Sequence, residues 1–228
     1  MKTYLFIPLL AAGLLLSGCN IYYADEATKR GKLAFDTAKE AKIHGDYQAA
    51  NDSYRKAQLE FQWAVDQDPG ATDRRYNLAL ACQALKEYDR AIREYDQALE
   101  CYPGNGKAHT GKIDCLVQMD APQEEIDAAV AEAVSIVRHR GRVYLTLALA
   151  YYRVGRATDM APVLVKAVRA APADSYVRAT AGRLYKALGD LDSARKHLKI
   201  AYQLNPQEPR VAYELGVLDQ RLPPTIGY

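Results

Sequence analysis

Gly182-Arg183-Leu184-Tyr185-Lys186-Ala187-Leu188-Gly189-Asp190, followed by Ala194, Leu198, Ala201 and Pro206, is the stretch whose reading decides the fold. A copy stands one period earlier, as Tyr144, Leu147, Ala148, Tyr151, Val154-Gly155, Leu164, Ala167 and Pro172. Prolines mark the same spacing: Pro69 and Pro103 are 34 residues apart, as are Pro172 and Pro206, and Pro103 to Pro172 is 69, twice 34 plus one. Self-similarity at a fixed period of this length is the signature of a stacked repeat array.

The period and its residues resemble the tetratricopeptide repeat family. Gly182 matches the family's small residue, Tyr185 its aromatic, Leu188-Gly189-Asp190 the turn between two helices, Ala194 and Ala201 the small packing positions, and Pro206 the terminal proline. Leu78, Ala79, Tyr88, Ala91, Tyr95, Ala98 and Pro103 make another copy. Between Gly106 and Arg140 the pattern survives as His109, Leu116, Ile126, Val130 and Ala133, with one extra residue, Pro122 in the turn, and no terminal proline. The first copy has Gly45-Asp46-Tyr47 as its turn and Ala50, Tyr54 and Ala57 behind it, then Phe61, Trp63 and Ala64 before Pro69. The resemblance implies an all-α fold, a right-handed superhelical solenoid of about five helical hairpins and a C-terminal capping helix.

The organisation read from the sequence is a signal peptide over 1–18, a lipidated Cys and short tether over 19–24, and a first repeat over 25–71 with an elongated second helix. Repeats follow at 72–105, 106–140 (divergent), 141–174 and 175–208, then a capping helix over 209–222 and a tail over 223–228.

Met1-Lys2-Thr3 gives a short positive start, and Leu5 to Leu16 is a greasy run shorter than the roughly 20 apolar residues that span a bilayer. It ends in Leu16-Ser17-Gly18-Cys19, which resembles the bacterial lipobox. That resemblance implies cleavage before Cys19 and acylation of its thiol. Asn20 stands where an Asp would mark inner-membrane retention, so the expected address is the periplasmic face of the outer membrane, or the cell membrane of a Gram-positive organism.

Thirty Lys and Arg against 28 Asp and Glu leave +2, which removes any chain-wide case for nucleic-acid binding. The charge is divided along the chain. Asn20 to Val137 holds 14 basic and 21 acidic residues, a balance of −7, and Arg138 onward holds 15 against 7, a balance of +8. An acidic partner segment or anionic envelope polymer suits the second half.

No catalytic or metal constellation stands out. Gly104-Asn105-Gly106-Lys107 lacks the leading Gly of a phosphate loop, with Cys101 there, and Ala108 replaces the magnesium-binding hydroxyl. It reads as an inter-repeat turn. His44, His109, His139 and His197 have no HExxH or i,i+4 partner. Cys82 and Cys115 fall at core positions, and a disulfide involving Cys101 stays open. No cofactor, metal or catalytic residue is therefore assigned.

Carrying the family's groove positions onto this chain gives Tyr76, Asn77, Leu80 and Gln83, then Arg142, Leu145, Leu149, Tyr152 and Arg153, and last Tyr176, Arg183 and Lys186. Tyr and Arg are enriched at binding hot spots. The Lys and Asn pattern by which chaperone-binding members clamp a C-terminal carboxylate is not reproduced. Together the two resemblances imply a non-enzymatic, lipid-anchored scaffold for protein–protein interactions in cell-envelope machinery. Its partners would be a protein or peptide with an acidic segment, and the membrane through the anchor, with no nucleic acid. In architecture it resembles the small lipoproteins of type IV or tight-adherence pilus assembly, which help a secretin ring assemble. An adaptor for peptidoglycan hydrolases or outer-membrane assembly factors is a second reading, and an enzyme or cofactor carrier a third.

Overall fold

The computed structural model describes the backbone of residues 9–221 and the side chains of residues 21–218. Residues 1–8 and 222–228 lie outside it, and with them part of the signal peptide and the C-terminal tail expected above. Among the described residues every regular element is an α-helix, as expected: α1 (Leu9–Ile43), α2 (Tyr47–Gln67), α3 (Thr72–Ala84), α4 (Tyr88–Cys101), α5 (Gly106–Gln118), α6 (Gln123–Ile136), α7 (Arg140–Arg153), α8 (Ala157–Ala170), α9 (Ser175–Ala187), α10 (Leu191–Leu204) and α11 (Pro209–Arg221). The chain divides into two compact units, 1–115 and 116–228, with the division inside α5.

The turn closing the first helix of each hairpin is built the same way five times. After α9, the Gly189 amide donates to the Lys186 carbonyl at 3.1 Å and the Asp190 amide to the Tyr185 carbonyl at 3.0 Å. This pair of bonds satisfies carbonyls that a helix end leaves without partners, and it needs a left-handed residue between them. Gly189 supplies it at φ +82°. Gly45 and Gly155 do the same, but Lys86 (φ +63°) and Asp120 (φ +56°) hold the position in the other two turns, with the same bonds. Four second helices start two residues after the left-handed one, while α6 starts three after Asp120. The odd residue in the proline spacing therefore sits in this turn.

In the first unit, α1 buries Ala24, Ala27, Gly31, Ala34 and Ala38, at alternating steps of three and four that place them along one face. Residues 19–24, read above as a tether, are helical, and Ala24 is fully buried. Facing this line, α2 buries Ala50, Tyr54, Ala57, Phe61 and Ala64. The approach is close: a Cβ on Gly31 would stand 2.5 Å from the Phe61 ring, so only glycine fits beneath that ring. At 21 residues α2 is longer than the 14 of α4. The core continues through Leu78, Ala79 and Cys82 of α3, Ala91, Tyr95, Ala98 and Leu99 of α4, and Ala108 of α5. Tyr95 is fully buried, and its hydroxyl donates to Gln83 Oε1 at 2.7 Å, which removes the penalty of burying it.

In the second unit, α7 packs on α8 and α9 on α10. Val143, Leu147, Ala148 and Tyr151 are buried on α7, and Met160, Leu164 and Ala167 on α8. The Tyr151 hydroxyl meets the Gln123 side chain, and the Arg156 guanidinium lies 4.6 Å from the centre of its ring. Asp174 and Asp190 cap α9 and α10 by accepting from backbone amides at their first turns. Finally α11 lays Val211 and Leu218 on α10 and turns Tyr213 to solvent, the arrangement of a terminal cap.

Candidate functional site

Within the first unit the assigned groove residues come from α3. Asn77 and Leu80 line a recess of about 250 Å³ together with Lys32, Phe35, Asp36 and Phe61. Its floor is apolar and its rim carries one cation, one carboxylate and one amide. Lys32, Phe35 and Asp36 on α1 were not assigned from the sequence. Tyr76 leans on Tyr95, with ring centres 6.0 Å apart, and Gln83 holds both the Tyr95 hydroxyl and the Asp114 carboxylate. Tyr76 and Gln83 thus serve the packing as well as any surface.

Within the second unit α7 and α9 carry the assigned residues, and the structure treats them unequally. Leu145, assigned to the groove, is 1% exposed, because α7 is packed on more than one side and buries Val143, Leu145, Leu147 and Ala150 together. It is removed from the surface. Arg142 forms an ion pair with Asp174 at 3.0 Å while its guanidinium lies 5.6 Å from the Tyr176 ring centre. Burial pushes the Asp174 carboxyl up, but Arg142 and the Val177 and Tyr176 amides outweigh it and hold the group below the usual carboxylate range. Arg183 grips Glu214 of α11 through both carboxylate oxygens, at 2.8 and 3.0 Å, and Arg210 meets the same carboxylate. Arg183 is therefore already engaged as a clamp between α9 and the cap. Tyr176 and Arg183 share a recess of about 240 Å³ with Ala179, Asn205, Glu208, Arg210 and Val211.

Tyr152 and Arg153 stand exposed at the end of α7, with Leu149 half-buried one turn back, and Arg153 Nε donates to the Leu149 carbonyl at 3.3 Å. Lys186 is half-buried near the end of α9. Rings and cations therefore stand on the same two helices, α7 and α9. Cys19 lies on the backbone of α1, but its side chain falls outside the described residues.

Several groups suited to chemistry are occupied by structure. Cys82, Cys101 and Cys115 are free thiols, so the open disulfide involving Cys101 is not formed. Burial pushes Cys82 up and Cys115 up to about 12, which keeps both protonated near neutrality. His109 Nε2 bonds the Pro103 carbonyl at 2.9 Å, and His197 stacks on Tyr185. Asn105 caps α5 by accepting from the Lys107 and Ala108 amides, so the glycine-lysine stretch is a helix start. Among the described residues no group of three His, Cys, Asp or Glu could hold a metal ion, and no helix is long and apolar enough to cross a membrane.

The tetratricopeptide repeat profile matches residues 44–106, 84–141 and 179–218, more than half of the chain. No curated protein sequence matches this chain. Among solved structures, TTC0263, a TPR protein of Thermus thermophilus, is similar at 15% identity, covering 82% of this chain and 98% of that one with a TM-score of 0.50. YrrB, a TPR protein with an unusual peptide-binding site, matches at 14% identity, 83% and 91% coverage and a TM-score of 0.41. MamA from Desulfovibrio magneticus RS-1 matches at 18% identity, 78% and 97% coverage and a TM-score of 0.44.

Proposed function

We propose that this chain, which belongs to the tetratricopeptide repeat family, is a non-enzymatic scaffold tied to a bacterial membrane by acylated Cys19, where it captures an acidic segment of an envelope partner. Repeats of this family are protein-interaction modules. The observation that carries the capture reading is the exposed Tyr152, Arg153 and Tyr176 on first helices of the second unit, in the half of the chain whose balance is +8. Rings supply desolvated contact area while cations steer approach and fix register. The anchor rests on Leu16-Ser17-Gly18-Cys19 after an apolar run, and Asn20 favours the outer membrane. The lipobox followed by repeats supports a place in pilus or secretin assembly, by resemblance to the small lipoproteins of those systems.

A photocrosslinker at Tyr152 in living cells should give an adduct whose partner names the pathway. Tyr152→Ala with Arg153→Glu should abolish capture while leaving circular dichroism and the melting curve unchanged, since exposed charges contribute little to folding. Arg183 is left intact, because it holds the cap. Capture at wild-type level in about 0.15 M salt, where the Debye length is about 8 Å, would remove this surface from the reading.

A further inference from the structure

At the start of the first hairpin lies an apolar surface that neither packing nor partner capture explains. Ile21, Tyr22 and Tyr23 of α1 are 49%, 62% and 53% exposed, and Trp63 of α2 is 39% exposed. They are contiguous. Tyr22 meets Tyr23 edge-on with ring centres 5.7 Å apart, and Tyr23 meets Trp63 in the same manner at 6.3 Å. The chain exposes other rings, Tyr47, Tyr102 and Tyr213 among them, but here three touch in a row across two helices, and a contiguous exposed patch of this kind marks a surface that something covers.

The residue types and their position identify the cover. Tyr and Trp have an apolar body and a polar edge, and they collect at the headgroup level of bilayers, where one side is greasy and the other wet. Position 19 precedes Tyr22 by three residues and Tyr23 by four on the continuous backbone of α1, so it lies on their helix face. Charge argues against attraction to anionic lipid: Asp25 and Glu26 border the patch, and the nearby cations Arg74 and Lys29 are paired with them.

We infer that Ile21, Tyr22, Tyr23 and Trp63 form a membrane-interface patch that seats the first hairpin in the headgroup layer of the bilayer holding the anchor. The inference rests on acylation of Cys19. Lipid anchoring is stable when two signals combine, and the patch supplies a non-covalent one that also fixes orientation. Because it acts by apolar burial, it works equally on zwitterionic and anionic membranes.

Trp63 is the only tryptophan in the chain, so its emission reports on the patch alone. The full-length protein, labelled with palmitate in cells and reconstituted in phosphatidylcholine vesicles, should show a blue-shifted emission. Brominated acyl chains should remove more than half of the intensity. Adding phosphatidylglycerol should not increase the quenching. Tyr22→Ser with Tyr23→Ser should still float with vesicles through the anchor but lose most of the quenching. If the protein carries palmitate and floats while Trp63 stays unquenched, the patch does not face lipid and the anchor stands. Shielding from aqueous acrylamide without quenching by bromolipid would place a protein on the patch and overturn the proposal as well. A chain that takes no palmitate would overturn the anchor, and the patch with it.

Discussion

In the hairpin α1–α2 the contact line runs through Ala24, Ala27, Gly31, Ala34 and Ala38 on one helix and Ala50, Tyr54, Ala57, Phe61 and Ala64 on the other. In α9–α10 it runs through Val177, Ala181, Gly182 and Leu184 against Ala194, Leu198 and Ala201, and a Cβ on Gly182 would stand 2.7 Å from Leu198 Cγ. Both pairs close over a glycine and several alanines, but the first concentrates its bulk in two rings. The last pair shares its bulk among branched aliphatics that can shift rotamer. A missing ring leaves a larger hole than a missing branched side chain, so the first hairpin should answer more sharply to truncation than the last.

The largest test truncates the bulk on each side. Phe61→Ala should cost about 3–5 kcal/mol, and Leu198→Ala should fall low in the range of about 2–5 kcal/mol, both read from urea melts. Equal losses would erase the contrast. Next comes the gap itself. Gly31→Ala should destabilise by about 1–3 kcal/mol through overpacking, although alanine is the better helix former by about 1 kcal/mol. Gly216→Ala in α11, where a Cβ would meet nothing within 4 Å, should instead gain about 0.5–1 kcal/mol. A stabilising Gly31→Ala would mean that the two helices have slack.

The turns sharpen the comparison at smaller scale. Lys86 carries a Cβ in a conformation that costs about 1–2 kcal/mol for most L-residues, so Lys86→Gly should raise the melting temperature while Gly189→Ala lowers it. The smallest effect depends on pH. His197 in α10 is held below its usual value of 6.5, first by burial and then by Arg178 and Lys196, with Asp190 opposing them. The unfolded chain then binds the proton more readily than the folded one, so stability is complete above pH 6.5 and falls as pH drops below it. His197→Gln should flatten that slope in the second unit. An unchanged slope would assign it to carboxylates such as Asp174, whose lowered value also gives stability that is lost in acid.

Much of this was legible because glycine and proline are read by position. Gly45, Gly155 and Gly189 announce three turns and Pro122 a fourth. Lys86 and Asp120 do not, since a left-handed Lys or Asp looks like any polar residue until its φ is seen. Burial of Leu145 was hidden because one periodic stripe was read on α7 and the helix packs on more than one side. The engagement of Arg183 depends on Glu214, 31 residues away on another helix, a distance at which charge pairing leaves no mark in a linear pattern. The helix through residues 19–24 is not legible, because the signal motif suggests a boundary there.

The two departures from the 34-residue period differ in where they are housed, and helical phase explains it. An α-helix advances about 100° per residue, so seven extra residues return to within about 20° of the starting face. The additional seven of α2, 21 against 14 in α4, therefore place Ala57, Phe61 and Ala64 beneath Ala50, Tyr54 and Ala57, and the stripe continues unrotated. A single extra residue inside a helix would swing every later side chain by about 100° and turn the stripe to water. The one that this chain carries is accommodated beside Asp120, between helices, where there is no face to keep. The extra length of seven thus lies within a helix, and the extra length of one within a turn.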